Sequence, residues 1–366
     1  MPETLIAYAL RVFVCLLHKN CHENTFSFLC SMPLRGYYAC LIAGRLQMLT
    51  LLKLLADGAF HSGQVLGNAL GISRSAVWKQ LQQLEADLGI EVHKVRGRGY
   101  RLATPISLLS PAGIAQCGFP ASWSVRTYDT IDSTNAEATR LIAHGAPMPL
   151  LVVAEQQTSG RGRRGRKWVS PFAENLYYSL VLRIDGGMRQ LEGLSLLVGL
   201  AVMNVLRDIG VQGAGLKWPN DVLVGRQKIA GILLELVGDP ADVCHVIIGI
   251  GVNVNMRSSS EVDQLWTSIR LETGSLADRN RIAALISSQL ESLLAVHRKE
   301  GFVAFQDEWE RGHLWQGAAV RLLSGAEAVE GVVLGVDSLG ALRLEVNGVE
   351  KSFSGGELSL RLRDDS

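Results

Sequence analysis

Between Gly160 and Trp168 the chain reads GRGRRGRKW. Five of these residues, Arg161, Arg163, Arg164, Arg166 and Lys167, are cations, with no carboxylate among them. Charges this close repel unless an anion joins them, and glycines at 160, 162 and 165 let the backbone fold tightly around one. The stretch reads as a phosphate-gripping loop. It matches neither common phosphate fingerprint, since there is no GxxxxGK[ST] and no GxGxxG opening a helix. The competing readings are an arginine-glycine segment for RNA and a solvated basic loop. Its place between the apolar runs LLVVAE and LYYSLVL, inside a folded domain, favours the phosphate loop.

A second constellation is Lys217-Trp218-Pro219-Asn220-Asp221, followed by Lys228 in KIAGIL. Pro219 fixes φ, and Asn220 and Asp221 favour a turn that aims their side chains inward from a strand end. Aimed in this way, Asp221 suits a magnesium ion, and a nearby lysine neutralises a carboxylate or phosphate. Taken alone, Asn-Asp is only a turn. Asp132-Ser133-Thr134-Asn135 is a weaker signal still, because Ser-Thr-Asn before a helical run is ordinarily an N-cap.

These residues need a scaffold. After Thr104 to Pro111, which reads as a short linker, apolar strands (LLVVAE, LYYSLVL, ILLELV, VIIGIGVNV) alternate with helical stretches (LSLLVGLAVMNVLRDIG, RIAALISSQLESLLAVH). That pattern predicts a mixed α/β sheet domain without fixing its topology. The last fifty residues change character: VRLL, EGVVLGV, LRLEV and EKSF are short strands, and Asn347-Gly348 signals a two-residue hairpin. A small β barrel is the natural packing for them.

Ahead of the linker, MLTLLKLLADG is a helix stopped by Gly58, GQVLGNAL is a short helix after Ser62, and RSAVWKQLQQLEADLG is a helix capped by Ser73 and ended by Gly89. IEVHKVRGRGYRL then forms a hairpin. Two helices joined by a tight glycine turn and followed by a hairpin make a winged helix-turn-helix. Ser73, Arg74, Ser75, Trp78 and Lys79 stand where a recognition helix meets bases and phosphates. Lys94, Arg96, Arg98 and Arg101 outnumber Glu91 in the wing. The alternative is a winged helix used only for packing or dimerisation, with Trp78 in its core.

The 366 residues exceed one ordinary core, and 48% hydrophobic with 19% charged residues suits a well-buried globular chain. A net charge of +1 identifies no partner; the local basic clusters do. Four of six cysteines (Cys15, Cys21, Cys30, Cys40) fall in the first 40 residues, leaving Cys117 and Cys244 as small buried hydrophobes, with no disulfide framework and no zinc spacing. Residues 4 to 17 are apolar but broken by Arg11, too short to span a bilayer, and lack a signal peptide's basic start and cleavage site. Residues 1–47 are expected to be an extension, untranslated if Met48 is the true start, or disordered.

Together GRGRRGRKW, KWPND, Ser-Thr-Asn, the winged helix and Gly355-Gly356-Glu357 appear in an order that resembles the bifunctional biotin protein ligase and biotin-operon repressor family, from about Met48 to Arg363. The resemblance implies an α/β multidomain protein: a winged helix-turn-helix over 48–107, a class II aminoacyl-tRNA-synthetase-like catalytic domain over 108–315, and an SH3-like barrel over 316–366. It implies ATP, Mg2+ and biotin as cofactor, metal and substrate, and biotinyl-5'-AMP as intermediate and corepressor. It further implies a biotin carboxyl carrier protein as acceptor, operator DNA as partner, a homodimer when adenylate-bound, and a cytoplasmic location away from membranes. By matching motifs, Ser133, Thr134, Asn135, Gln157, Arg161, Gly162, Arg163, Lys228, Gly249 and Gly251 would bind biotin. Arg163, Arg164, Asn220, Lys228, Asn253 and Trp266 would bind the adenylate, with Arg161, Arg163 and Lys228 carrying the chemistry. Two rivals remain: a lipoate ligase, which would not be expected to combine these motifs with a winged helix, and a repressor without catalysis, which would be expected to have lost Arg161 or Lys228.

Overall fold

The computed structural model describes residues 47–185, 187–239, 244–324, 327–354 and 358–363. The expectations for residues 1–46 and the Gly355-Gly356-Glu357 motif lie outside the described residues. The chain divides into two compact units, one ending at Ala103 and the other running from Thr104 to the C-terminus.

The first unit follows its apolar spacing. Helix α1 covers residues 47–55 and buries Leu51, Leu52 and Leu55 on one face. Helix α2 (Gly63–Leu70) starts on Ser62, whose Oγ accepts from the Val65 N–H; helix α3 (Arg74–Leu88) starts on Ser73, whose Oγ accepts from Ala76. Val77, Leu81 and Leu84 recur at helical spacing and are buried. Strands β1 (Val92–Val95) and β2 (Gly99–Leu102) pair antiparallel as the wing. Reciprocal backbone bonds between His61 and Tyr100 (2.8 and 2.9 Å) dock the hairpin beside the helices. Gly99 is required there: its φ is +104°, and a Cβ would lie 2.0 Å from the His61 carbonyl oxygen.

The second unit is built on a seven-stranded sheet. Its strands are β3 (Ser124–Tyr128), β4 (Leu150–Ala154), β5 (Leu176–Ile184), β6 (Ala214–Lys217), β7 (Asp221–Val224), β8 (Gln227–Gly238) and β9 (Cys244–Val252), in the order β3-β4-β5-β9-β8-β7-β6. Only β3 and β4 run parallel; the other neighbours are antiparallel. Helix α4 (Pro111–Gln116) precedes the sheet, and helix α5 (Thr134–Ala143) and helix α6 (Leu194–Asp208) come between its strands. The last is apolar on nearly every side and correspondingly buried. After the sheet come helix α7 (Ile269–Thr273), helix α8 (Arg279–Glu300) and helix α9 (Gln306–Gly312). Sequence reading left β6 and β7 unassigned. They are four-residue strands flanking the Trp-Pro-Asn turn, with Lys217 opposite Asp221. Cys117 and Cys244 carry free thiols.

The segment read as a linker is partly anchored. Glu155, just past β4, and Arg279, at the start of α8, form an ion pair at 2.6 Å with both side chains almost wholly buried. Glu155 accepts the Leu109 N–H, Arg279 donates to the Ser107 carbonyl, and the Asn280 amide binds both Leu108 and Ser110. Burial pushes the Glu155 carboxyl upward, and the Arg279 charge opposes that push.

The C-terminal strands β10 (Ala319–Ser324), β11 (Glu327–Val336), β12 (Leu342–Val346), β13 (Val349–Phe353) and β14 (Leu358–Leu362) form a sheet ordered β13-β12-β11-β10-β14. Asn347 and Gly348 both take positive φ and make the two-residue turn that the sequence predicts. The edge strands β13 and β14 do not pair with each other among the described residues, so no closed barrel is formed by this ladder. Val320, Leu322, Leu344 and Leu360 join the same apolar cluster as the seven-stranded sheet.

His313, after α9, is buried and stacks on Trp309 at 4.7 Å, and burial pushes its pKa down to about 4. The unfolded chain holds this group near 6.5, so as pH falls through 6.5 toward 4 the unfolded state takes up the proton first and stability is lost. We expect a loss of about 2 kcal/mol between pH 7.5 and 5 from this group. His313→Phe should flatten that part of the denaturant-midpoint profile; an unchanged slope counts against it.

Candidate functional site

Two adjoining clefts open in the second unit and share Gly162, Arg163, Trp168, Asn220 and Lys228. Counting the space open to solvent, the smaller spans about 470 Å³ and the larger about 1140 Å³.

The smaller cleft is walled by the start of α5, the strands β5, β8 and β9, and the basic loop. Ser133 occupies the N-cap position of α5 but makes no side-chain cap bond, although that was the bland reading of Ser-Thr-Asn. Thr134 instead gives both its N–H (2.9 Å) and its hydroxyl (3.1 Å) to Gln157 Oε1, and Gln157 Nε2 reaches Ser170 Oγ. Asn135 is buried, accepting from Ser179 Oγ at 2.5 Å and donating to Glu235 at 2.7 Å.

The basic loop is itself a hairpin: Gly162 N–H binds the Arg166 carbonyl and Trp168 N–H binds that of Gly160, while Arg164 sits in the left-handed region. The indole of Trp168 lies flat against two strands. A Cβ on Gly251 would come within 2.4 Å of the ring, and one on Gly231 within 3.2 Å. The close approach therefore depends on glycine in β8 and β9. The indole N–H is buried and finds no acceptor in the protein, a state that a ligand oxygen would relieve.

The larger cleft is rich in cations: Arg163, Arg164, Arg166, Lys167, Lys217 and Arg361. Arg163 Nη1 donates to Asn220 Oδ1 at 2.9 Å. Burial holds its pKa below the usual guanidinium range, the Asp221 carboxylate opposes that shift, and neighbouring Arg164 and Arg166 add to it. A crowded, desolvated guanidinium of this kind is suited to an incoming anion. Lys228 Nζ pairs with Asp221 at 2.6 Å and stands 5.5 Å over the Trp168 ring. No group of three or more His, Cys, Asp or Glu side chains is placed to hold a metal among the described residues.

All ten residues expected at biotin line the smaller cleft. Of those expected at the adenylate, Arg163, Arg164, Asn220 and Lys228 line the larger one. Asn253 and Trp266 line neither. Asn253 donates to the carbonyls of Lys228 and Thr267, and Trp266 bridges to Lys228 through backbone, so both brace the strand that carries Lys228. Sequence reading missed Tyr177, Tyr178 and Trp168 as wall residues, and it missed Glu235 altogether. The available signals were a lone acid in the apolar run ILLELV and glycines alternating along VIIGIGV opposite a tryptophan.

In the first unit, Arg74, Lys79 and Arg96 are exposed, and Ser73 and Ser75 bond to each other at 2.9 Å. Trp78 is half-buried, stacked on Tyr100 and capped by Lys94 Nζ at 4.2 Å, which ties the recognition helix to the wing. Arg98 and Arg101 lie over the Phe60 ring.

The fold and clefts define a ligase of small carboxylic acids joined to a helix-turn-helix unit. Residues 128–253 match the biotin/lipoate A/B protein ligase family, 46–101 a helix-turn-helix domain and 317–361 the biotin protein ligase C-terminal domain. The chain is 41% identical to the bifunctional ligase/repressor BirA of Escherichia coli over 315 residues, 86% of this chain and 97% of that one. It is 35% identical to that of Bacillus subtilis over 308 residues, 82% and 94% of the two chains. A biotin protein ligase from Aquifex aeolicus, solved in complex with biotin and ATP, superposes with a TM-score of 0.58 at 31% identity, covering 65% of this chain and 99% of that one. The chain belongs to the bifunctional ligase/repressor family of biotin protein ligases.

Gly251→Ala should push the Trp168 indole into the smaller cleft. Biotin affinity measured by calorimetry is expected to fall at least about tenfold, with far-ultraviolet circular dichroism unchanged; wild-type affinity would show that the indole does not form this wall.

Proposed function

We propose that the chain joins biotin to ATP as biotinyl-5'-AMP, passes the biotinyl group to a lysine of the biotin carboxyl carrier protein of acetyl-CoA carboxylase, and represses biotin-synthesis genes through its winged helix. The observation that carries this reading is the meeting of a cleft lined by Ser133, Thr134, Asn135 and Gln157 with a cation-rich one at Arg163, Trp168, Asn220 and Lys228.

In the first step a carboxylate oxygen of biotin bonds to the α-phosphorus of ATP while the bond to the β-phosphate bridge breaks, releasing pyrophosphate. Two anions must approach, so catalysis rests on charge neutralisation and in-line positioning rather than on a protein nucleophile. Ser133, Thr134, Asn135 and Gln157 hold the acid, with Gly249 and Gly251 leaving room beside it. Arg161, Arg163 and Lys228 neutralise the carboxylate and α-phosphate, and Arg164 and Asn220 hold the nucleotide. Asn253 acts through the Lys228 strand, and Trp266 reaches adenine as the preceding segment orders over the nucleotide. In the second step the acceptor amine bonds to the acyl carbon, AMP leaves, and the amine gives up a proton. The basic hairpin shields the water-sensitive anhydride between the steps.

Mg2+ supplies further charge neutralisation on the phosphates when bound. Asp221, the residue expected to hold it, is engaged by Lys228 and has no cage of acidic neighbours among the described residues, so the ion fits only as a companion of ATP.

The same reading extends to architecture and regulation. It takes 48–107 as the DNA-binding domain, 108–315 as a class II synthetase-like catalytic domain and 316–366 as an SH3-like domain. Biotinyl-5'-AMP acts as corepressor by ordering loops that favour a homodimer, which reads a palindromic operator through Ser73, Arg74, Ser75, Trp78, Lys79, Arg96 and Arg98. No helix among the described residues is long and apolar enough to cross a membrane, and the proposed location is the cytoplasm.

Mass spectrometry of an acceptor domain incubated with the protein, ATP and biotin should show one biotinyl addition, with lipoate giving none; lipoylation in its place would favour the lipoate rival. Arg163→Ala should slow pyrophosphate release with biotin and ATP by 10- to 1,000-fold, on the order of losing one transition-state charge contact; an undiminished rate would remove Arg163 from the chemistry. Operator affinity should rise when biotin and ATP are added together. Binding indifferent to both would end the corepressor reading.

A further inference from the structure

We infer that Glu235 is a positioning residue of the smaller cleft: it fixes the Asn135 amide as a donor toward the bound acid and tethers Arg161 at the rim. The inference rests on the biotin-binding reading above.

Glu235 is a carboxylate in the middle of β8, in the otherwise apolar run ILLELV. Packing alone does not call for a charge there. Its two oxygens are divided between two cleft residues: Oε2 accepts from Asn135 Nδ2 at 2.7 Å, and Oε1 faces Arg161 Nη2 at 3.3 Å. On its other side Asn135 accepts the Ser179 hydroxyl through Oδ1 at 2.5 Å.

A side-chain amide offers one oxygen and two N–H groups, and it binds in either of two flipped orientations unless its partners choose between them. Ser179 cannot choose, because a hydroxyl both donates and accepts. An ionised carboxylate only accepts, so Glu235 forces Nδ2 toward itself and Oδ1 toward Ser179. One N–H of Asn135 then remains for a carbonyl or other acceptor on the ligand. The amide cannot slide away from this arrangement, since it is buried and backed by Gly249, where a Cβ would stand 2.6 Å from Asn135 Oδ1. The other carboxylate oxygen gives the half-exposed Arg161 a fixed anion beside the cleft, which limits the rotamers it samples before ligand arrives.

Both functions are tested by substitution in the full-length chain. Glu235→Ala removes both, and biotin affinity measured by calorimetry is expected to drop about tenfold. Because the loss acts through Asn135, combining it with Asn135→Ala should cost no more than about twofold beyond the weaker-binding single variant. Glu235→Gln keeps the shape, but its amide donates as well as accepts and carries no charge, so it neither selects the Asn135 orientation nor holds Arg161. Biotin affinity should therefore stay at least about threefold below wild type, and preformed biotinyl-5'-AMP, followed by stopped-flow tryptophan fluorescence, should leave at least about threefold faster. A Glu235→Ala protein that binds biotin like wild type, losses that multiply in the double variant, or a Glu235→Gln protein with wild-type biotin affinity and adenylate release would overturn the inference. Failure of the wild-type chain to bind biotin at all would instead strike the reading on which it rests.

Discussion

The contact on which the site depends is an indole laid against bare backbone. Trp168 ends the basic hairpin and rests on β8 and β9 where Gly231 and Gly251 leave no side chain in its way. That anchor acts with the polar partners Glu235, Asn220 and Glu261 to hold the five cations between Arg161 and Lys167 over the sheet against their mutual repulsion. Packing one apolar ring holds the loop where its charges are useful. The same ring forms part of both clefts, so the places proposed for the acid and for the polyphosphate share a single side chain.

Within the protein these charges already have partners. Lys228 is held by Asp221, Arg163 by the Asn220 oxygen, and Arg161 by Glu235. A phosphate or carboxylate would offer each of these cations strong, charge-assisted bonds in exchange. On the proposed reading, ligand binding exchanges these partners for ligand oxygens around cations already in place, which limits the reorganisation left for the reaction itself.

Much of this was legible in the sequence because it is local. Ser62 and Ser73 announce their helices, Asn347-Gly348 its hairpin, and the spacing of GRGRRGRKW its loop. What escaped is long-range. Glu155 and Arg279 lie 124 residues apart, and Asn135 and Glu235 lie 100 apart; no period or cap connects them. Family resemblance led to Asn253 and Trp266 as adenylate contacts; that the Asn253 amide and the Trp266 backbone also brace the strand carrying Lys228 is another link that no local pattern announces. The C-terminal strands invited a separate barrel, yet their inner residues join the core of the larger sheet, since so small a sheet gains by sharing a neighbour's apolar surface.

The buried Glu155–Arg279 pair bears on how this chain can be divided. Its hydrogen-bond shell is completed by backbone groups of Ser107 and Leu109, with Asn280 closing over Leu108 and Ser110. Trimming the chain up to Pro105 would leave those partners in place. Trimming beyond Ser110 would take the Leu109 N–H from Glu155 and the Ser107 carbonyl from Arg279, leaving an enclosed ion pair with fewer hydrogen bonds than its burial demands. The natural seam for excising the DNA-reading head thus lies ahead of the segment that looks most dispensable, and those few residues belong to the enzyme.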